Sequence, residues 1–115
     1  MPNYVQDGFW HFMRIHYHAD FVVADAKNFT HEIPKDEVLK IANYLTRHGT
    51  GLVGLLLTRS GLRRSAKWTC REQWLLHDKL IIGFDDEDYR QMLLSKRAGG
   101  DPSDLVRQRI EDFRL

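Results

Sequence analysis

Six consecutive residues without a polar side chain, Leu52-Val53-Gly54-Leu55-Leu56-Leu57, follow directly on Gly51. A strand that is apolar at every position, and not only at alternate ones, has no face to give to water and must be covered on both sides. The sequence ahead of it supplies the cover. Pro34 fits the first turn of a helix, Asp36 and Glu37 suit its positive end, and Val38, Ile41, Ala42 and Leu45 repeat at helical spacing. This predicts a helix from Pro34 to His48 with Gly49 as its stop. Ahead of that helix, Asp20 leads into the β-branched and aromatic run Phe21 to Ala26, a second strand whose polar exit is Asp25 to Thr30. A helix joining two such strands implies a right-handed parallel crossover.

The remaining segments extend the same alternation. Phe9, Phe12 and Met13, followed by His16 or Tyr17, give a short amphipathic helix over Gly8 to Tyr17. After a loop at Thr58 to Gly61, Leu62, Ala66, Cys70 and Trp74 recur every four residues and, joined by Leu75, should face the core, with the arginines elsewhere on that helix. Leu80 to Phe84 is a third strand, and Asp85 can cap the next helix, whose apolar face is Tyr89, Met92 and Leu93. Gly99-Gly100 ends it, and Asp101-Pro102 starts a last helix carrying Val106, Ile110 and Phe113. The predicted order is α-β-α-β-α-β-α-α, a single layered domain over residues 1–115. A sheet of three strands leaves edges to be covered, by further strands or by a partner chain.

With 43% hydrophobic and 29% charged residues the chain has globular composition and enough length for one core. Its single cysteine, Cys70, excludes an internal disulfide and fits a reducing compartment. No apolar run approaches a membrane span and no signal segment opens the chain, so a cytoplasmic protein is expected.

Seventeen Lys and Arg against sixteen Asp and Glu conceal a local polarity. Arg59, Arg63, Arg64, Lys67 and Arg71 precede the first acid, Glu72, whereas Asp85-Asp86-Glu87-Asp88 is an acidic block that reads as helix capping. Two readings stand for the basic run: a solvated helix face, or a surface that positions phosphates without reading sequence. The six histidines include one close pair, His16 and His18, without a partner at a zinc-ligand spacing. Trp68 and Trp74 read as core or interface anchors and not as platforms for bases.

Asp25 and Lys27 stand two apart at a strand end, so their side chains point to the same face. An acid-x-Lys triplet arises about once by chance in a chain of this length, and by itself it reads as a solvated ion pair worth about 0 to 1 kcal/mol. Its setting gives it weight. The stretch Phe21-Val22-Val23-Ala24-Asp25-Ala26-Lys27-Asn28, the helix that follows, and Gly51-Leu52-Val53-Gly54-Leu55-Leu56-Leu57-Thr58-Arg59-Ser60-Gly61 resemble the C-terminal half of the PD-(D/E)xK, or restriction-endonuclease-like, nuclease family. The resemblance extends over roughly residues 9 to 115, through the Leu80 to Asp86 strand-helix junction and the Gly99 to Asp104 tail, which are similar to bacterial defence-associated members.

The resemblance implies a three-layer α/β/α core with a small mixed sheet and metal-assisted hydrolysis of a phosphodiester in DNA. Asp25 and the carbonyl of Ala26 would ligate Mg²⁺. Lys27 would orient or activate the attacking water and stabilise charge on the phosphate. The family also carries an earlier acid, on a strand that forms a hairpin with the acid-x-Lys strand. Here only Met1 to Gln6 precedes Asp7, to which that role is not carried over. The expectation is therefore a nuclease-like domain lacking its first strands and one metal ligand. A preceding segment or a second copy would complete it, or it binds nucleic acid or protein without cleaving.

Overall fold

The computed structural model describes residues 3, 6–19 and 21–114. Asp20 and most of the Met1 to Gln6 segment lie outside them. Among the described residues the elements are α1 (Gly8–Tyr17), β1 (Val22–Ala26), α2 (Lys35–Tyr44), β2 (Val53–Leu57), α3 (Arg64–His77), β3 (Leu80–Phe84), α4 (Asp86–Arg97) and α5 (Ser103–Arg114).

The apolar run lies at the centre of the sheet. The strand order is β1-β2-β3, with Val53 opposite Val22 on one side and Leu80 on the other. Both pairings are parallel, which corrects the expected mixed sheet. The reason is local: α2 and α3 each carry the chain back along the sheet, so successive strands start from the same end, and the hairpin strand a mixed sheet needs is not among the described residues.

Alternation along the strands builds two cores. Val53, Leu80, Ile82 and Phe84 pack with Met13 and Tyr17 of α1 and Val106 and Ile110 of α5. Leu56 and Ile81 turn to the opposite face, against Val38, Ile41, Ala42 and Leu45 of the α2 segment and Ala66 and Cys70 of α3. Each fully buried aliphatic side chain contributes about 1.5 to 3 kcal/mol.

Three details depart from the sequence reading. Helix α2 stops at Tyr44, short of His48 and Gly49. The next residues form a closed turn in which the Thr46 carbonyl accepts from Gly49 and Gly51, the Thr50 hydroxyl donates to the Tyr44 carbonyl, and Thr46 bridges to Gly51. Leu75 is 69% exposed and Leu93 65% exposed, so neither joins the core. Trp74 and Met92 take up the contact expected of their neighbours, packing against the α1–α5 core.

The two edges of the sheet differ. At β3 the Arg109 guanidinium donates to the Gly83 carbonyl at 3.0 Å, pairs with Asp88 and lies over the Phe84 ring, so α5 closes that edge. No described strand or helix bonds the outer side of β1 at Ala24 or Ala26.

Gly51 holds the entry to β2. Its φ is +84°, and a Cβ there would stand 2.7 Å from the His18 carbonyl oxygen and 2.8 Å from that of Phe21. Both obstacles are backbone and cannot rotate away. Gly51→Ala should destabilise the fold by about 1 to 3 kcal/mol in urea denaturation, while Leu75→Ala should change stability by less than about 0.5 kcal/mol.

Candidate functional site at the β1 edge of the sheet

Residues 25 and 27 share the face of β1 that looks toward α2, because Asp25 aligns with Leu56, whose side chain belongs to that face. Lys27 Nζ lies 3.2 Å from Asp25 Oδ2 and 3.2 Å from Glu37 Oε2, and Glu37 Oε1 accepts from Lys40 Nζ at 3.1 Å. Two carboxylates and two ammoniums thus join the end of β1 to the first turn of α2. Glu37 is the most enclosed of the four, with its side chain 11% exposed against 23% for Lys27.

The environment separates the two kinds of group electrically. The Glu37 carboxylate first, then Asp25, holds the Lys27 ammonium above its ordinary value of 10.5. The Lys40 hydrogen bond, followed by that from Lys27, holds the Glu37 carboxyl below its ordinary 4.5. At neutral pH Lys27 is a fixed cation and Glu37 a fixed anion.

The backbone adds a third oxygen to the two carboxylates. The Lys27 N–H donates to the Leu57 carbonyl at 2.8 Å, and in a trans peptide the preceding carbonyl points the opposite way. The Ala26 carbonyl therefore faces away from β2, toward the outer side of β1. A cavity of 710 Å³ runs beside that edge, lined by Ala24 and Asp25 of β1, by Lys27 just after it, and by Lys40, Asn43 and Tyr44 of α2.

Sequence reasoning paired Asp25 with Lys27 and missed Glu37, assigning it only to the helix dipole. A signal was present: Glu37 lies four residues before Ile41 and next to Val38, at the border of the apolar stripe of α2. An acid placed there is carried inward with the stripe.

The basic residues divide. Arg59, in the loop after β2, faces Asp86 at 3.9 Å, and Arg71 donates to the Phe113 carbonyl and lies over its ring, which ties α3 to α5. Arg63, Arg64 and Lys67 are exposed, without an acidic partner among the described residues. The acidic block behaves as expected, with Asp85 and Asp88 forming a reciprocal capping box at the start of α4. The loops after β1 and β2 are stitched together: Ile33 N–H donates to the Gly61 carbonyl and Arg63 N–H to the Ile33 carbonyl, each at 2.9 Å. The start of α3 is therefore fixed to the loop that connects Lys27 with Glu37.

Cys70 is not a nucleophile candidate, since burial pushes its thiol up to about 12. Among the described residues no three His, Cys, Asp or Glu side chains are grouped to hold a metal ion. The Asp25 and Glu37 carboxylates and the Ala26 carbonyl are hard oxygen donors, the chemistry suited to Mg²⁺, which takes one or two carboxylates and keeps several waters. No family model, no curated protein and no solved structure matches the chain.

The pH dependence of the cluster follows from its charges. A carboxyl depressed by folding stabilises above its unfolded value, and the contribution is lost as pH falls through the folded one. Glu37→Gln should cost about 1 kcal/mol at pH 7, and urea denaturation at pH 3 should show a smaller difference from the unsubstituted protein. The raised Lys27 value contributes stability that persists through neutral pH and is lost only above 10.5.

Proposed function

We propose that the chain is a nuclease-like domain of the PD-(D/E)xK type that acts on DNA, with Asp25, Lys27 and Glu37 as its working cluster. The observation that carries this reading is the ammonium of Lys27 held at 3.2 Å from each of two carboxylates at the carboxyl end of β1, the first strand in the sheet order. Phosphodiester hydrolysis needs such a set: anionic oxygens to hold a cation and a permanent positive charge for the phosphate.

Asp25, Glu37 and the Ala26 carbonyl would hold Mg²⁺. When bound, the ion supplies Lewis-acid polarisation of the phosphate and a more acidic water. Lys27 serves as a cation and not as a general base, because its raised pKa keeps it protonated across neutral pH. Its ion pairs with Asp25 and Glu37 hold the Nζ at the end of β1, from which it would donate to a phosphate oxygen. Glu37 thereby positions Lys27 in addition to offering an oxygen ligand.

Arg63, Arg64 and Lys67 support the DNA-facing part of the reading. They crowd the N-terminal end of α3, which has no acid in its first turn and no side-chain cap. Cations at that end oppose the helix dipole by about 0.3 to 1 kcal/mol each. An anionic partner removes that penalty.

A second reading is a non-catalytic module on the same fold that binds nucleic acid or protein. It is favoured by the saturation of Lys27 by two carboxylates, which also describes a clamp between β1 and α2.

The test is cleavage of plasmid DNA by the purified chain with Mg²⁺ or Mn²⁺. Asp25→Ala, Lys27→Ala and Glu37→Gln should each lower the rate by about 100-fold or more, and chelation should abolish it. Cleavage unaffected by Asp25→Ala or Lys27→Ala rejects the assignment of these residues. Duplex binding with no metal-dependent cleavage selects the second reading.

A further inference from the structure

Trp68 is 60% exposed on α3, so it is not a core residue, and of the two places expected for it only that of an interface anchor is left. The other tryptophan of that helix, Trp74, shows what burial requires: its ring lies 5.8 Å from Tyr17 and beneath the Arg114 guanidinium at 5.4 Å. Trp68 has no ring or cation contact of this kind among the described residues. Leaving a large aromatic surface in water forgoes stabilisation that burial would give.

Its neighbours on the helix are cationic. Arg64 stands one turn before Trp68, Lys67 and Arg71 flank it, and Glu72 is the acid one turn later. Arg64 and Lys67 are exposed and have no acidic partner among the described residues. A flat apolar ring between unpaired cations matches the two demands of a nucleic-acid strand, a π-face for a base and positive charge for its phosphates. A second copy of the chain docked on this face about a twofold axis would set Arg64 and Lys67 against their own equivalents, which like-charge repulsion opposes.

We infer that the exposed face of α3 is a binding surface for single-stranded nucleic acid, on which Trp68 stacks a base while Arg64 and Lys67 hold the adjoining phosphates. The inference rests on the DNA-directed reading above and adds a stacking contact and a strand preference to it. The backbone bonds between Arg63 and Ile33 tie this surface to the loop that carries Lys27. A strand held on α3 is thus anchored by an element fixed to the candidate site.

The experiment is titration of the full chain with oligo-dT in Ca²⁺, read by intrinsic tryptophan fluorescence and by fluorescence anisotropy of labelled oligo-dT. Binding should quench emission, Trp68→Phe should remove most of the quench, and Trp74→Phe should retain it. Trp68→Ala should weaken binding about tenfold, and Arg64→Ala should lower the slope of log affinity against log salt by about 0.7. Circular dichroism of each variant checks folding, which an exposed Trp68 leaves intact. Affinity unchanged in Trp68→Ala, or no oligo-dT binding by the unsubstituted chain, overturns the inference, as does a Trp68→Ala effect confined to self-association in sedimentation. Cleavage separates the two readings: stacking without cleavage refutes only the catalytic one, and cleavage unaltered in rate and affinity by Trp68→Ala refutes only the stacking one.

Discussion

The structure depends on a strand with no side to give to water. Val53 and Leu56 of β2 are fully buried on opposite faces of the sheet, so the fold needs two helical layers and a neighbouring strand on each side of β2. Helices α1 and α5 cover one face, and α2 and α3 the other. Because both neighbours of β2 run parallel to it, the carboxyl ends of all three strands meet at one end of the sheet, where ligands gather in open α/β sheets. The loops there are bonded to one another, from Ile33 to Gly61 and from Thr58 to Phe84, so the polar groups they carry are held by backbone and not by long side chains alone.

The edges of this sheet are treated unequally. Arg109 satisfies the outward Gly83 carbonyl at β3 and brings Asp88 and α5 with it. At β1 the polar cluster of Asp25, Lys27, Glu37 and Lys40 stands beside an outer edge that no described element covers. Lys27 has a double part in this arrangement. It clamps a strand to a helix, and it presents a cation to whatever enters the neighbouring cavity. The clamp and the proposed chemistry draw on the same two carboxylates.

Helices α3 and α4 show opposite electrostatic choices. The start of α4 obeys the helix dipole, with three acids in its first turn and a capping box. The start of α3 violates it, with Arg63 at the cap position and Arg64 at the first helical residue. Local rules are most often broken where a site requires it. The exposed Trp68 one turn further along repeats the pattern, as an apolar residue left outside a core that had room for Trp74.

Periodicity alone determined much of this protein. The limits of α1 and β3, those of β1 and β2 to within one residue, the capping role of Asp85 and the buried row of Leu62, Ala66 and Cys70 could all be read from spacing, because each depends on neighbours within a turn or two along the chain. The shared direction of Asp25 and Lys27 was legible for the same reason, strand alternation. Tertiary structure alone decided the rest. It brought Glu37 to Lys27 across ten positions, ended α2 at Tyr44 through the turn that Thr46 closes, and left Leu75, Leu93 and Trp68 in water. Those outcomes depend on how far each helix is rotated about its axis when it packs. A period in the sequence names the apolar stripe of a helix, but the facing sheet decides which residues at its border are covered.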